Sequence, residues 1–154
     1  MADTFEVSRT TTINAPADEV FKRVSNLQEW DNWSPWAAMD PDMAKTYGGE
    51  QGTVGSTYHW KGNRKVGEGK MTMTEITAPS TVKIDLNFIK PFTANNVTEL
   101  TVDDNGGSSN VTWKMTGPMN LMTKIMGIFK SMDKMVGPDF EKGLASLKQQ
   151  CEAS

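Results

Sequence analysis

The 154-residue chain has one cysteine and one histidine, and these two scarcities remove most of the usual site chemistry. Cys151 can form no disulfide within the chain, which suits a reducing compartment. A single histidine cannot begin a metal site, which needs clustered His, Cys or carboxylate ligands. His59 also alternates with Tyr58 and Trp60, which sends it to the far face of its strand. Neither a Ser-His-Asp nor a Cys-His arrangement then has a credible base. Positive charge is short as well. The net charge is −3 and the basic residues are scattered, which argues against nucleic acid and against an anionic membrane surface. No apolar run approaches the ~20 residues of a membrane span. The opening Met-Ala-Asp-Thr-Phe-Glu lacks the basic and apolar regions of a signal peptide. Glycines at 48–55 and 62–69 do not lead from a strand into a helix, so they imply no phosphate cradle. The expectation is one cytoplasmic domain over 1–154 with no metal, no cofactor and no membrane insertion, as a monomer or homodimer.

Apolar periodicity, by contrast, is plentiful, and the last third of the chain shows it most clearly. Met122, Ile125, Met126, Phe129, Met132, Met135, Val136, Phe140, Leu144 and Leu147 recur at steps of three or four, the stripe of an amphipathic helix. Gly137-Pro138 interrupts it. A proline inside a helix removes one hydrogen bond and crowds the preceding turn. The pattern therefore predicts a lead-in helix near 120–129 and a longer one near 131–151, bent or broken at 137–138.

Upstream, the chain predicts mostly strands. Alternation marks strands at 5–13, 67–76, 81–88, 92–102 and 109–116, with shorter ones near 45–47 and 56–61. Pro16 suits the first turn of a helix carrying Val20, Phe21 and Val24, and a second short helical piece follows around 27–30. Gly62-Asn63 and the run Asp103-Asp-Asn-Gly-Gly107 signal tight turns. Hairpin links and polar alternate positions mean an antiparallel sheet wet on one side, with the terminal helix covering the other.

Ile13-Asn-Ala-Pro16, Trp33-Ser-Pro-Trp36, Gly67-Glu-Gly69-Lys-Met71, Phe88-Ile-Lys-Pro-Phe92 and Met135-Val-Gly-Pro-Asp-Phe140-Glu-Lys-Gly-Leu144 give the chain a family likeness. It resembles the polyketide cyclase/dehydrase and lipid-transport group of the START-like (SRPBCC) superfamily, over residues 5–150. The resemblance implies an α+β helix-grip fold, shared with pollen allergens: a curved antiparallel sheet wrapped around a long C-terminal helix, with two short helices after the first strand. It also implies an apolar cavity between sheet and helix. The same fold hosts carriers, cyclases and partner-binding modules, so the likeness alone does not choose among them.

Strand parity and helical phase nominate the cavity walls. Tyr58, Trp60, Met71, Met73, Leu86 and Trp113 face inward on their strands, and Met122, Met126, Phe129 and Met132 face them from the helix. Six of the eleven methionines fall between Met115 and Met135, where flexible thioethers would suit varied apolar partners and equally suit plain core packing. Trp33 and Trp36 sit in a loop expected to overhang one mouth; packing of that loop on the sheet is the plainer alternative. Asn96 and Thr98 share the inward face of their strand, where a buried amide or hydroxyl ordinarily meets a backbone group or water. Glu75 is the best inward carboxylate if alternation persists past Met73, Glu68 the next; a bulge would turn Ile76 inward instead. Few inward groups titrate. The expectation is therefore a hydrophobic or amphipathic small-molecule ligand, such as a lipid or polycyclic, with no assignable catalytic residue. A cyclase or dehydratase acting on a polyketide-like substrate, or a protein-binding module of chaperone-activator type, stands as the alternative.

Overall fold

The structure, a computed structural model, describes residues 4–34, 40, 42–63, 67–90, 94–118 and 128–153, with side chains for all of these except 4, 94, 118 and 128–136. Seven strands build it: β1 (Thr4–Ile13), β2 (Ala44–Gly48), β3 (Thr57–Lys61), β4 (Glu68–Thr77), β5 (Thr81–Lys90), β6 (Ala94–Asp104) and β7 (Ser109–Pro118). They form one antiparallel sheet in the order β1-β7-β6-β5-β4-β3-β2. Strands β2 to β7 are a meander, and β1 then pairs β7 along its whole length, from Thr4 opposite Pro118 to Ile13 opposite Ser109. The sheet, the short helices after β1 and the long terminal helix are the helix-grip arrangement.

Helix α1 (Ala17–Val24) begins after the extended Pro16, carries Asp18 and Glu19 in its first turn and Lys22 and Arg23 in its last. Those charges complement the helix dipole at both ends. Its apolar stripe of Ala17, Val20, Phe21 and Val24 is buried. The last turn leaves carbonyls without helical partners. Trp30, within the 3-10 turn Glu29–Asn32, and Trp33, just after it, fill two of them: Trp30 Nε1 donates to Val24 O at 2.9 Å and Trp33 Nε1 to Arg23 O at 3.0 Å.

Helix α2 runs unbroken over Ile128–Ala153 with Pro138 inside it. The expected break at 137–138 is therefore absent. Proline forfeits one bond of the ladder, but the buried stripe of Phe140, Leu144, Leu147 and Cys151 continues past it. The expected lead-in helix near 120–129 lies largely outside the described residues. Buried Gly137 brings α2 close to β1, since a Cβ there would overlap the Arg9 guanidinium. Arg9 Nε reaches Glu141 Oε2 at 3.2 Å, Lys148 Nζ donates to Thr12 O at 2.9 Å, and Asn14 N donates to Glu152 Oε2 at 2.8 Å. The helix thus packs chiefly along β1, and next on α1 and β7. Trp113 of β7 stacks on Phe140 of the helix, with centroids 4.1 Å apart. No described helix is long and apolar enough to cross a membrane.

Candidate functional site

Cross-strand register sorts the inner face of the sheet into rows. One row runs Tyr47, Tyr58, Met71, Leu86 and Asn96, each opposite the next from β2 to β6. The neighbouring row runs Met73, Ile84, Thr98, Met115 and Val7. Burial falls off in one direction across these rows. On β5, Val82 and Ile84 are completely buried, whereas Leu86 and Phe88 are only partly covered. On β4, Met73 is completely buried and Met71 less so. Packed side chains bury one end of the inner face completely, and cover is thinner toward Leu86 and Phe88 at the other.

Aromatic rings floor this less covered end. Tyr47 and Tyr58 lie 5.2 Å apart, Tyr58 and Trp60 6.1 Å, Trp60 and Phe88 6.1 Å. Gly69, opposite Trp60 on β4, leaves room for that indole; a Cβ there would overlap the ring. Such edge-to-face spacing is favourable for aromatic pairs.

Two groups of polar atoms stand at the ends of the Tyr47–Asn96 row. At the β6 end, Asn96 is 5 % exposed and Thr98 3 %. Among the described residues, Asn96 makes one side-chain hydrogen bond, from Nδ2 to the weak acceptor Met115 Sδ at 3.7 Å; the Thr98 hydroxyl makes none. At the β2 end, three groups converge on Asp31 of the 3-10 turn. Tyr47 donates its hydroxyl to Oδ2, Tyr58 to Oδ1 at 3.3 Å, and Lys45 Nζ stands 3.6 Å from Oδ2. Both phenols are pushed well above the usual tyrosine range, by burial first and then by the Asp31 carboxylate, whose charge a phenolate would oppose.

Several sequence expectations move at this point. Glu75 is not an inward carboxylate. A bulge between Met73 and Glu75 shifts the register, so Glu75 pairs with outward Lys83 and Ile76 packs on the core. Its side chain is 45 % exposed, and it ends a ladder of alternating charge across the outer face: Glu75–Lys83 3.9 Å, Lys83–Glu99 3.7 Å, Glu99–Lys114 3.8 Å. Glu68 likewise faces out, 2.8 Å from His59 Nε2. Trp33 does not overhang a mouth. It is 2 % exposed and wedged between Trp30 at 4.6 Å and Trp113 at 5.4 Å. Trp113 and Met73 are core rather than uncovered wall. Tyr58, Trp60, Met71, Leu86, Asn96 and Thr98 do come together on one face. Trp36, Met122 and Met126 lie outside the described residues, as do the side chains of Phe129 and Met132 on α2.

Asp31, Lys45, Tyr47 and Phe88 were not singled out from the sequence. Tyr47 and Phe88 follow from the alternation that selected Tyr58 and Leu86, once the strand register is known. Asp31 sits in an irregular turn and carries no periodic signal. A recess of about 460 Å³ lies elsewhere, lined by Glu19, Lys22, Arg23, Ser25, Asn26, Glu29 and Gly52. Its lining side chains are polar or charged, and it is not the cavity between sheet and helix that the sequence predicted.

The family described as "Polyketide cyclase / dehydrase and lipid transport" matches residues 4–152. The chain belongs to that family. No curated protein sequence matches it. Solved structures of similar fold include a norcoclaurine synthase point mutant from Thalictrum flavum in complex with a transition-state analogue, at TM-score 0.73 and 12% identity, covering 99% of this chain and 97% of that one. A protein from Thermobifida fusca matches at TM-score 0.71 and 19% identity, over 94% and 91% of the two chains. The crystal structure of Ara h 8.0201 matches at TM-score 0.57 and 14% identity, over 87% and 98% of the two chains. At these identities the likeness concerns the fold of this family member.

Proposed function

We propose that this polyketide cyclase/dehydrase and lipid-transport family member binds a hydrophobic or amphipathic small molecule against the less covered end of the sheet's inner face. The observation that carries the reading is the pair Asn96 and Thr98. They are almost fully buried on an apolar face, yet their hydrogen-bonding capacity is largely unmet by the described protein groups. Among the described residues, the remaining capacity of Asn96 Oδ1 and of the Thr98 hydroxyl is free to meet a ligand. Apolar and aromatic walls with a few convergent polar atoms are the usual composition of a small-molecule site. Burial of methylenes supplies the affinity, and the polar atoms set the orientation.

The reading predicts that affinity for straight-chain alcohols and fatty acids rises with chain length until the space is filled, then levels off. Each buried methylene contributes about 0.8 kcal/mol before the costs of association. Titration calorimetry or displacement of an apolar fluorescent probe measures this. Affinity independent of length, or no binding across the series, would contradict it.

A further inference from the structure

The two polar groups at the ends of the Tyr47–Asn96 row suit different ends of one molecule. We propose that the ligand is two-ended: an apolar body with a hydroxyl at each end, one meeting the Asp31–Tyr58 cluster and the other meeting Asn96. The inference rests on the apolar-site reading above and specifies its substrate class.

Register sets the geometry. Tyr58, Met71, Leu86 and Asn96 are successive cross-strand partners on β3, β4, β5 and β6. Strands are about 4.8 Å apart, so three steps separate the polar ends by roughly 14 Å along the sheet. Among the described residues, those between them are apolar: Met71 and Leu86 in the row, Trp60 and Phe88 beside it. Gly117 lets Asn96 and Phe5 pack closely at the far end, since a Cβ there would overlap Asn96 Oδ1 and the Phe5 ring.

Hydrogen-bond valence sets the chemistry. At the Asp31 end the phenolic hydrogens are already given to the carboxylate. What remains there is acceptor capacity on the two phenol oxygens and on Asp31, with Lys45 Nζ as a donor 3.6 Å from the carboxylate. At the Asn96 end one N–H of Nδ2 is given to a sulfur, which leaves its second N–H as a donor and Oδ1 as an acceptor. Each end therefore offers both acceptors and a donor. A hydroxyl, which donates and accepts, meets both; an ionised carboxylate only accepts. A ligand with a single polar end satisfies one cluster and strands the other.

The test is a binding series of α,ω-diols from octanediol to tetradecanediol, with the matching monoalcohols and α,ω-dicarboxylates, measured by calorimetry on the full chain. The expected result is one preferred diol length, bound at least tenfold tighter than its monoalcohol and its dicarboxylate. Asp31→Ala and Asn96→Leu should each weaken that diol at least tenfold and shrink its advantage over the monoalcohol, since each disables one polar end. If Asn96→Leu does not fold, Thr98→Val serves at the same end. Diols and monoalcohols of equal affinity at every length would overturn the two-ended proposal and leave the apolar site standing. No binding by either series would overturn both.

Discussion

The chain's only two tyrosines, Tyr47 and Tyr58, both donate to one carboxylate, which makes the cluster readable by its own titration. Folding raises both phenol pKa values above the ordinary value of about 10. Below that pH the phenols are neutral in both folded and unfolded chains, and their contribution to stability is fully present. As pH rises past it, the unfolded chain loses these protons first, and stability falls. Phenolate absorbance should therefore show no transition near pH 10 in the native protein and should appear together with alkaline unfolding. In Asp31→Ala the tyrosines should ionise at lower pH than in the parent. A normal tyrosine titration with the fold intact would contradict the geometry. Residue-level roles were the least legible part of the sequence. Glu75 follows Met71 and Met73 in clean alternation, and nothing at Thr74, neither glycine nor proline, marks the bulge that turns it outward. Trp33 lies in a turn, where no period says which way a ring points; only its hydrogen bond to Arg23 O and its contact with Trp113 settle it.

Elements were more legible because their signals repeat. All seven strands and the order of helices follow from periods of two and 3.6 with glycine and proline punctuation. What local pattern could not supply was the pairing of α2 with β1, which depends on Gly137 accommodating the distant Arg9. It also could not supply the meeting of β3 and β4 at Trp60 and Gly69. That contact is testable by itself. A Cβ at Gly69 would meet the Trp60 ring and lie 2.9 Å from Asn87 O, and neither can move aside cheaply. Gly69→Ala should cost about 1–3 kcal/mol, as overpacking does, despite the entropy it removes from the unfolded chain. It should also alter the near-ultraviolet circular dichroism as the indole is displaced. A neutral variant with an unchanged spectrum would mean that Trp60 does not lie over Gly69.

At the scale of the molecule, the account turns on one asymmetry. The inner face is fully buried where α1 and the second half of α2 pack, around Ile13, Val82, Ile84, Leu100, Val111 and Leu147, and burial thins toward Leu86 and Phe88. A family name does not locate that thinning; register and burial do. The most direct measurement is an NMR titration with dodecanol, following backbone amide and methyl shifts across the sheet. The account predicts saturable changes clustered at Met71, Leu86, Phe88, Asn96 and Thr98, with Val82, Leu100 and Val111 unmoved. Changes confined to the polar recess around Glu19, Arg23 and Glu29, or spread evenly over the outer face, would contradict it.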